Sequence, residues 1–255
     1  MTKTAPETDH NAAAFSPRRD DVFGRIAGRY DFLCDVFSLG LHRRWKRRVA
    51  HMIADARWER MLDAAAGTGH IVRRILKRSP GIADARQIIV SDISLPMLAI
   101  ARCKTEHLTR NLDIRQLDAH NMPSIESGSI DLYSISLGLK ICDRTRVLTE
   151  AFRVLRPGGE IITLEASTIT LPWLHTLYLA YMDFCMPLIG RLAAKGDASA
   201  YLYLLKGVHD FPCADDLAQE MREIGFEHVT FERMSLGIVA IHRGRKPARP
   251  AHARD

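Results

Sequence analysis

Apolar residues along this chain switch between two spacings: helical recurrence, then short unbroken runs, then helical recurrence again. Residues from about 22 to 54 read as helix. Apolar runs near 60–64, 87–92, 112–117, 130–136 and 159–165 have the length of buried strands. Between the first two, Ile71, Val72, Ile75 and Leu76 recur at helical spacing. Strands alternating with helices in this way predict a parallel sheet. The last two runs, 228–234 and 235–243, follow one another so closely that an antiparallel hairpin is expected there. The pattern therefore predicts an α/β chain with a seven-stranded, mostly parallel sheet, an antiparallel C-terminal hairpin and helices on both faces.

The first strand ends in Leu62-Asp-Ala-Ala-Ala-Gly-Thr-Gly69, directly before the helix that starts at His70. This is a strand-to-helix turn. Gly67 and Gly69 permit positive φ and let a ligand approach the backbone, and Asp63 can accept hydrogen bonds from a cationic or hydroxylated ligand. A glycine turn alone also suits NAD, FAD or ATP. The second strand ends on Asp92, where a carboxylate would grip both ribose hydroxyls. The third runs into Asp118-Ala119-His120 and the fourth ends on Ser136. No Gly-x-x-x-x-Gly-Lys-Ser/Thr run is present to grip phosphates. Acids at three successive strand ends favour a cofactor without phosphates. S-adenosylmethionine (SAM), with an ammonium, a ribose and an adenine, fits that description. In a parallel sheet the strand carboxyl ends line one crevice, so Asp63, Gly67, Asp92, Asp118 and Ser136 are expected together. Ala65, Gly69, Ile93 and Ala119, beside them in sequence, complete the expected cofactor-binding set.

The order of glycine turn, Asp92, Asp118 and Arg153-Val-Leu-Arg-Pro-Gly-Gly159 before a strand resembles a class I methyltransferase. More specific runs narrow the likeness. Tyr30-Asp-Phe-Leu-Cys-Asp-Val-Phe-Ser-Leu-Gly-Leu-His-Arg-Arg-Trp-Lys46 is similar to the N-terminal signature of the ubiquinone/menaquinone biosynthesis C-methyltransferase family. Ser136-Leu-Gly-Leu139 is similar to its mid-chain signature, and Gly237-Ile-Val-Ala-Ile-His-Arg-Gly244 to its last strand. The resemblance spans roughly residues 22–246. It implies a Rossmann-like fold and SAM-dependent C-methylation of a quinol-like ring, such as a demethylmenaquinol or a polyprenyl benzoquinol.

The departures from that family fall at sensitive positions. Its turn reads Asp-x-Ala-Gly-Gly-Thr-Gly-Asp, and here Ala66 and His70 replace the first glycine and the closing acid. Ala66 is tolerable if its φ is negative and costly if positive. Where the family carries Arg-Asn, which acts on the ring hydroxyl, this chain has Lys140-Ile141. Lysine lacks the planar fork of arginine but can lose its proton when desolvated. Lys140 is therefore a catalytic candidate, as base or as cation, with Tyr201 as the second. These departures keep two alternatives in view: an O- or N-methyltransferase of another small molecule, and a SAM-binding scaffold without catalysis.

Composition and charge refine this picture only slightly. The 255 residues, 47% hydrophobic, suit one domain over 21–246 with tails at 1–20 and 247–255. A segment at 167–207, rich in Leu, Tyr, Trp and Met in its first half, reads as a helical lid over an apolar pocket. Packing on the core or a homodimer contact is the plainer role. Pro172 and Pro187 bracket too few apolar residues for a membrane span. Five cysteines without a Cys-x-x-Cys pair argue for free thiols, a reducing compartment and no zinc, and no other metal ligand cluster stands out. No secretory segment is evident, and a cytoplasmic protein is expected, peripheral to the inner membrane face.

The net charge is +6, and Arg43, Arg44, Lys46, Arg47 and Arg48 cluster on one helix. Without interleaved aromatics beyond Trp45 this is no platform for nucleic acid. It reads as a solvated face, or as one drawn to anionic lipid headgroups at about 1 kcal/mol per basic residue. His42 and Trp45 match the family signature and suggest a role in closing the site. His120 is either a cofactor contact or base, or a satisfied surface histidine.

Overall fold

The computed structural model describes residues 22–193 and 207–248, with side chains up to 185 and from 207 on. Two helices, α1 (Val22–Phe37) and α2 (Leu41–Asp55), precede β1 (Arg60–Ala64). Then follow α3 (His70–Arg78), α4 (Ile82–Ala85), β2 (Gln87–Asp92), α5 (Leu95–Thr105), β3 (Leu112–Gln116) and β4 (Ile130–Ser136). After these come α6 (Arg144–Val154), β5 (Leu155–Ala166), α7 (Pro172–Ala193), α8 (Ala214–Ile224), β6 (Glu227–Met234) and β7 (Val239–Arg245). The expected helical stretch 22–54 is two helices because Leu39 and Gly40 adopt positive φ, 49° and 76°, and turn the chain.

The strands form one sheet in the order β3-β2-β1-β4-β5-β7-β6. Pairings from β3 to β5 are parallel, and β7 runs antiparallel to both β5 and β6. The expected α/β architecture and the C-terminal hairpin are both present. Because the strand order reverses at β1, a crevice opens at the carboxyl ends between β1 and β4, the general ligand position of such sheets. The central strands are apolar along their length because both faces are covered: Met61, Leu62, Ile88, Ile89 and Ile161 are fully buried. Edge strand β6 alternates instead and leaves Glu227, His228, Thr230, Glu232 and Arg233 exposed.

Two boundaries differ from the sequence pattern. β5 begins at Leu155 rather than 159, because Leu155 pairs with Ile130 before a register irregularity and the ladder resumes at Glu160 opposite Leu132. The Arg-Pro-Gly-Gly run, expected to stand before the strand, is carried inside it. α7 continues through position 187 to Ala193 although a proline stands there, so the two prolines do not bracket the helix. Even so, no helix among the described residues is long and apolar enough to cross a membrane. The five cysteines are free.

Gly69 shows how tightly the turn is held. Its φ is 74°, and a Cβ added there would stand 2.9 Å from Ala101 Cβ and 3.2 Å from Ala101 Cα on α5. The glycine is required by backbone conformation and by helix packing together. Gly69→Ala is expected to destabilise the fold by about 2–3 kcal/mol, combining overpacking with a disfavoured φ. Urea unfolding measures this, and an unchanged midpoint would mean that α5 yields freely.

Candidate active site

At the switch point the loops after β1 to β4 enclose a cavity whose wall includes Ala65, Gly67, Asp92, Ile93, Asp118, Ala119 and Ser136. Seven residues read from sequence as cofactor-binding are thus brought together. Asp92 is 9% exposed and ties the turn to β2: its Oδ2 accepts the Gly67 N–H at 2.8 Å and its Oδ1 the Ser94 N–H at 2.9 Å. Gly67 has φ 56°, and a Cβ there would meet nothing within 4 Å, so the turn presents bare backbone to open space. Ala66 is not among the positive-φ residues, which makes its methyl group tolerable. The positive φ falls on Ala65, at 47°, a strained conformation for a side chain with a Cβ.

Asp63 and Gly69 are not on that wall. Gly69 packs against α5, as above. Asp63 lies beneath the turn, 1% exposed, with Oδ1 accepting from Ser134 Oγ and Oδ2 without a partner. Burial pushes its carboxyl up to about 7, against the downward pull of Ser134 and the Lys46 charge. Asp118 is held below the usual carboxylate range chiefly by the His120 ring, whose Nδ1 is 2.6 Å from Asp118 Oδ1. His120 Nε2 in turn accepts the Asp143 N–H at the start of α6. Both ring nitrogens are engaged, so His120 braces the loop and has no free lone pair to serve as a base.

α1 closes over the turn through Asp31. Its carboxylate accepts from Thr68 Oγ1 at 2.6 Å and from Lys104 Nζ, and His70 Nε2 stands 3.0 Å away. Burial alone would raise this acid, but His70, Lys104 and Thr68 outweigh it and hold Asp31 far below the ordinary range. His70 is thus a substitution with a partner: an acid at 70 would face Asp31 with like charge.

A second, apolar cavity of about 300 Å³ adjoins the first, lined by Leu33, Phe37, Leu41, Trp45, Tyr178 and Met182 among others. Tyr30 and Leu137 belong to both walls. From the segment read as a lid, α7 lines this cavity with Tyr178, Tyr181 and Met182, while Tyr201 lies outside the described residues. Lys140 borders this cavity, donates to the Leu137 carbonyl and lies 3.9 Å from the fully buried Glu165. Burial raises Glu165, and Lys140 pulls it back down.

His42 also lines this cavity. The single proton of Ser38 Oγ goes to the Cys34 carbonyl at 2.6 Å, so that oxygen accepts from His42 Nδ1 at 2.9 Å, which leaves the lone pair on Nε2. Burial, aided by the Lys46 charge, pushes His42 down to about 4, so the ring is neutral near pH 7.

Sequence reasoning missed Tyr30, Thr68 and Lys46 as cavity residues. For Lys46 a signal existed. His42, Trp45, Lys46, Val49, Ala50 and Ile53 share one buried stripe of α2, whereas Arg43, Arg44, Arg47 and Arg48 are exposed. The basic cluster is a solvated face at four positions and an inward cation at the fifth.

The model of the ubiE/COQ5 methyltransferase family matches residues 12–246. The chain belongs to that family. It is a SAM-dependent methyltransferase. It is 35% identical over 248 residues to the mitochondrial 2-methoxy-6-polyprenyl-1,4-benzoquinol methylase of Caenorhabditis elegans, covering 94% of this chain and 84% of the relative. It is 36% identical over 253 residues to the ubiquinone/menaquinone biosynthesis C-methyltransferase UbiE of Acidiphilium cryptum, covering 96% and 99%. Among solved structures, a SAM-dependent methyltransferase from Thermotoga maritima superposes with TM-score 0.59 at 19% identity, covering 89% of this chain and 98% of that one. The [4+2]-cyclase SpnF superposes at 0.65 and 17% identity, covering 92% and 97%. One scaffold therefore carries different chemistries, and only the site can assign this one.

Proposed function

We propose that this member of the family methylates a ring carbon of a polyprenylated quinol-type acceptor. The carrying observation is the pair of adjoining cavities with Tyr30 and Leu137 in common: one polar and acidic, suited to the cofactor, and one apolar, suited to a ring bearing a hydrophobic tail. The polar cavity fits SAM on three counts. Gly67 leaves room for a ligand, Asp92 places a carboxylate for the ribose, and Asp118 with Ala119 forms the wall beyond it. Bound SAM supplies an electrophilic methyl group on a sulfonium.

The protein's own contribution is alignment and a dry, charged pocket. A phenolic hydroxyl must give up its proton before the ring carbon becomes nucleophilic. His42, neutral with its lone pair on Nε2, can take that proton, and the Lys140 ammonium can stabilise the phenolate oxygen left behind. α7 excludes water. Its outer face exposes Trp173, Leu177 and Phe184, and Arg43, Arg44, Arg47 and Arg48 are also exposed on α2, so contact with an anionic lipid surface would deliver a lipid-borne acceptor.

The test is mass spectrometry of demethylated quinols incubated with SAM and the enzyme, offered in neutral and in anionic vesicles. One added methyl on ring carbon, faster on the anionic vesicles, is expected. SAM binding with methylation only at oxygen or nitrogen would shift the assignment to the second reading, which the Lys140-Ile141 departure favours. Binding with no product would leave the scaffold.

A further inference from the structure

Lys46 stands apart from the other basic residues of α2. It is 7% exposed and borders the polar cavity beside Thr68, Asp92 and Ser136. Nevertheless its ammonium makes no hydrogen bond or ion pair with any described residue. Burial pushes its pKa down, while Cys34, Asp31 and Asp63 pull it up from a distance. Those acids are already committed or out of contact: Asp31 to Thr68 and Lys104, and Asp63 through one oxygen to Ser134.

Lys46 is buried as a residue while it borders the cavity, and a cation in so confined a place is ordinarily paired. The folded protein therefore carries an unbalanced positive charge on the wall of its cofactor cavity. Asp92 and Asp118 supply the negative charges on the same wall and repel an anion. A carboxylate entering this cavity has one described side chain that attracts it by charge.

We propose that Lys46 receives the α-carboxylate of the cofactor's methionine moiety, so that bound cofactor supplies the counter-charge that the protein leaves missing. This rests on reading the polar cavity as the SAM site, and adds to it a basis for preferring ligands that keep the amino-acid carboxylate. Asp63, beneath the turn and off the cavity wall, acts on Lys46 only as a distant charge.

The experiment is calorimetric titration of wild type and Lys46→Met with two ligands. S-adenosylhomocysteine keeps the amino-acid end, whereas 5′-methylthioadenosine keeps the adenosine and the sulfur and lacks it. Lys46→Met is expected to weaken S-adenosylhomocysteine by about 10- to 100-fold, the scale of a charge-assisted hydrogen bond, and to leave methylthioadenosine within about twofold. The ligand-free variant is expected to melt at or above the wild-type temperature, since it loses an unpaired buried charge.

Equal losses for both ligands would overturn the proposal in favour of a structural role for Lys46. An unchanged S-adenosylhomocysteine affinity would overturn it by placing the carboxylate elsewhere. If wild type binds neither ligand, the reading of the cavity itself fails, and the proposal with it. Lys46→Arg, which keeps the charge, is expected to recover part of the lost affinity.

Discussion

Asp92→Ala is expected to weaken SAM binding by about 100-fold or more, the largest loss from any single change in the polar cavity. The carboxylate has two tasks. It accepts the Gly67 and Ser94 amides, holding the glycine turn against the end of β2, and on the proposed reading of the cavity it would also hold the ribose hydroxyls. Each hydrogen bond to a charged group contributes about 1.5–3 kcal/mol, and an amide left unpaired in a buried turn adds a cost of its own. Removing two such hydrogen bonds together lowers affinity by more than about 100-fold. Calorimetry on a variant shown by circular dichroism to be folded measures it. Asp92→Asn keeps an acceptor for one amide and should fall between the two. A loss below about tenfold, less than one such hydrogen bond supplies, would mean that Asp92 serves only the turn and that the ribose is held elsewhere.

Lys140→Met is expected to lower turnover about 100-fold or more while leaving SAM affinity within about twofold. The separation follows from where the side chain sits: it borders the apolar cavity, not the polar one. Removing the ammonium removes the charge that would steady a ring oxygen as its proton leaves, a contribution on the scale of general acid–base or electrostatic catalysis. The variant also strips Glu165 of its nearby cation. With that acid already raised by burial, it should take up a proton rather than remain as an uncompensated charge. Single-turnover methylation with saturating SAM separates the two effects. Equal losses in turnover and cofactor affinity would place Lys140 in the scaffold, and full activity would remove it from the chemistry.

The mid-chain departure Lys140-Ile141 shows how the two positions divide. Ile141 lines the polar cavity and Lys140 the apolar one, so adjacent residues face different cavities. On the proposed reading, a change at Lys140 alone would alter acceptor handling and leave Asp92 and Asp118 as they are.

Much of this protein is legible in its sequence. Unbroken apolar runs such as Gln87–Asp92 mark strands covered on both faces, and the acid or glycine ending each run lands at the carboxyl edge, because a parallel sheet brings all such ends to one side. Strand count, the C-terminal hairpin and the gathering of Ala65, Gly67, Asp92, Ile93, Asp118, Ala119 and Ser136 on one wall follow from that spacing. Tertiary structure decided what depends on which side of an element faces inward and on what lies across from it. Asp63 reads as a ligand contact but is drawn under the turn to Ser134. His120 reads as a candidate base but is braced at both nitrogens by Asp118 and Asp143. Lys46 reads as one more charge on a solvated helix and turns out to be the inward cation of α2. For Asp63 and His120 the residue type was evident, but Ser134 and the Asp143 amide reach them from 71 and 23 residues away, and a linear pattern carries no record of such a distance being closed; for Lys46 the buried stripe of α2 was the available signal.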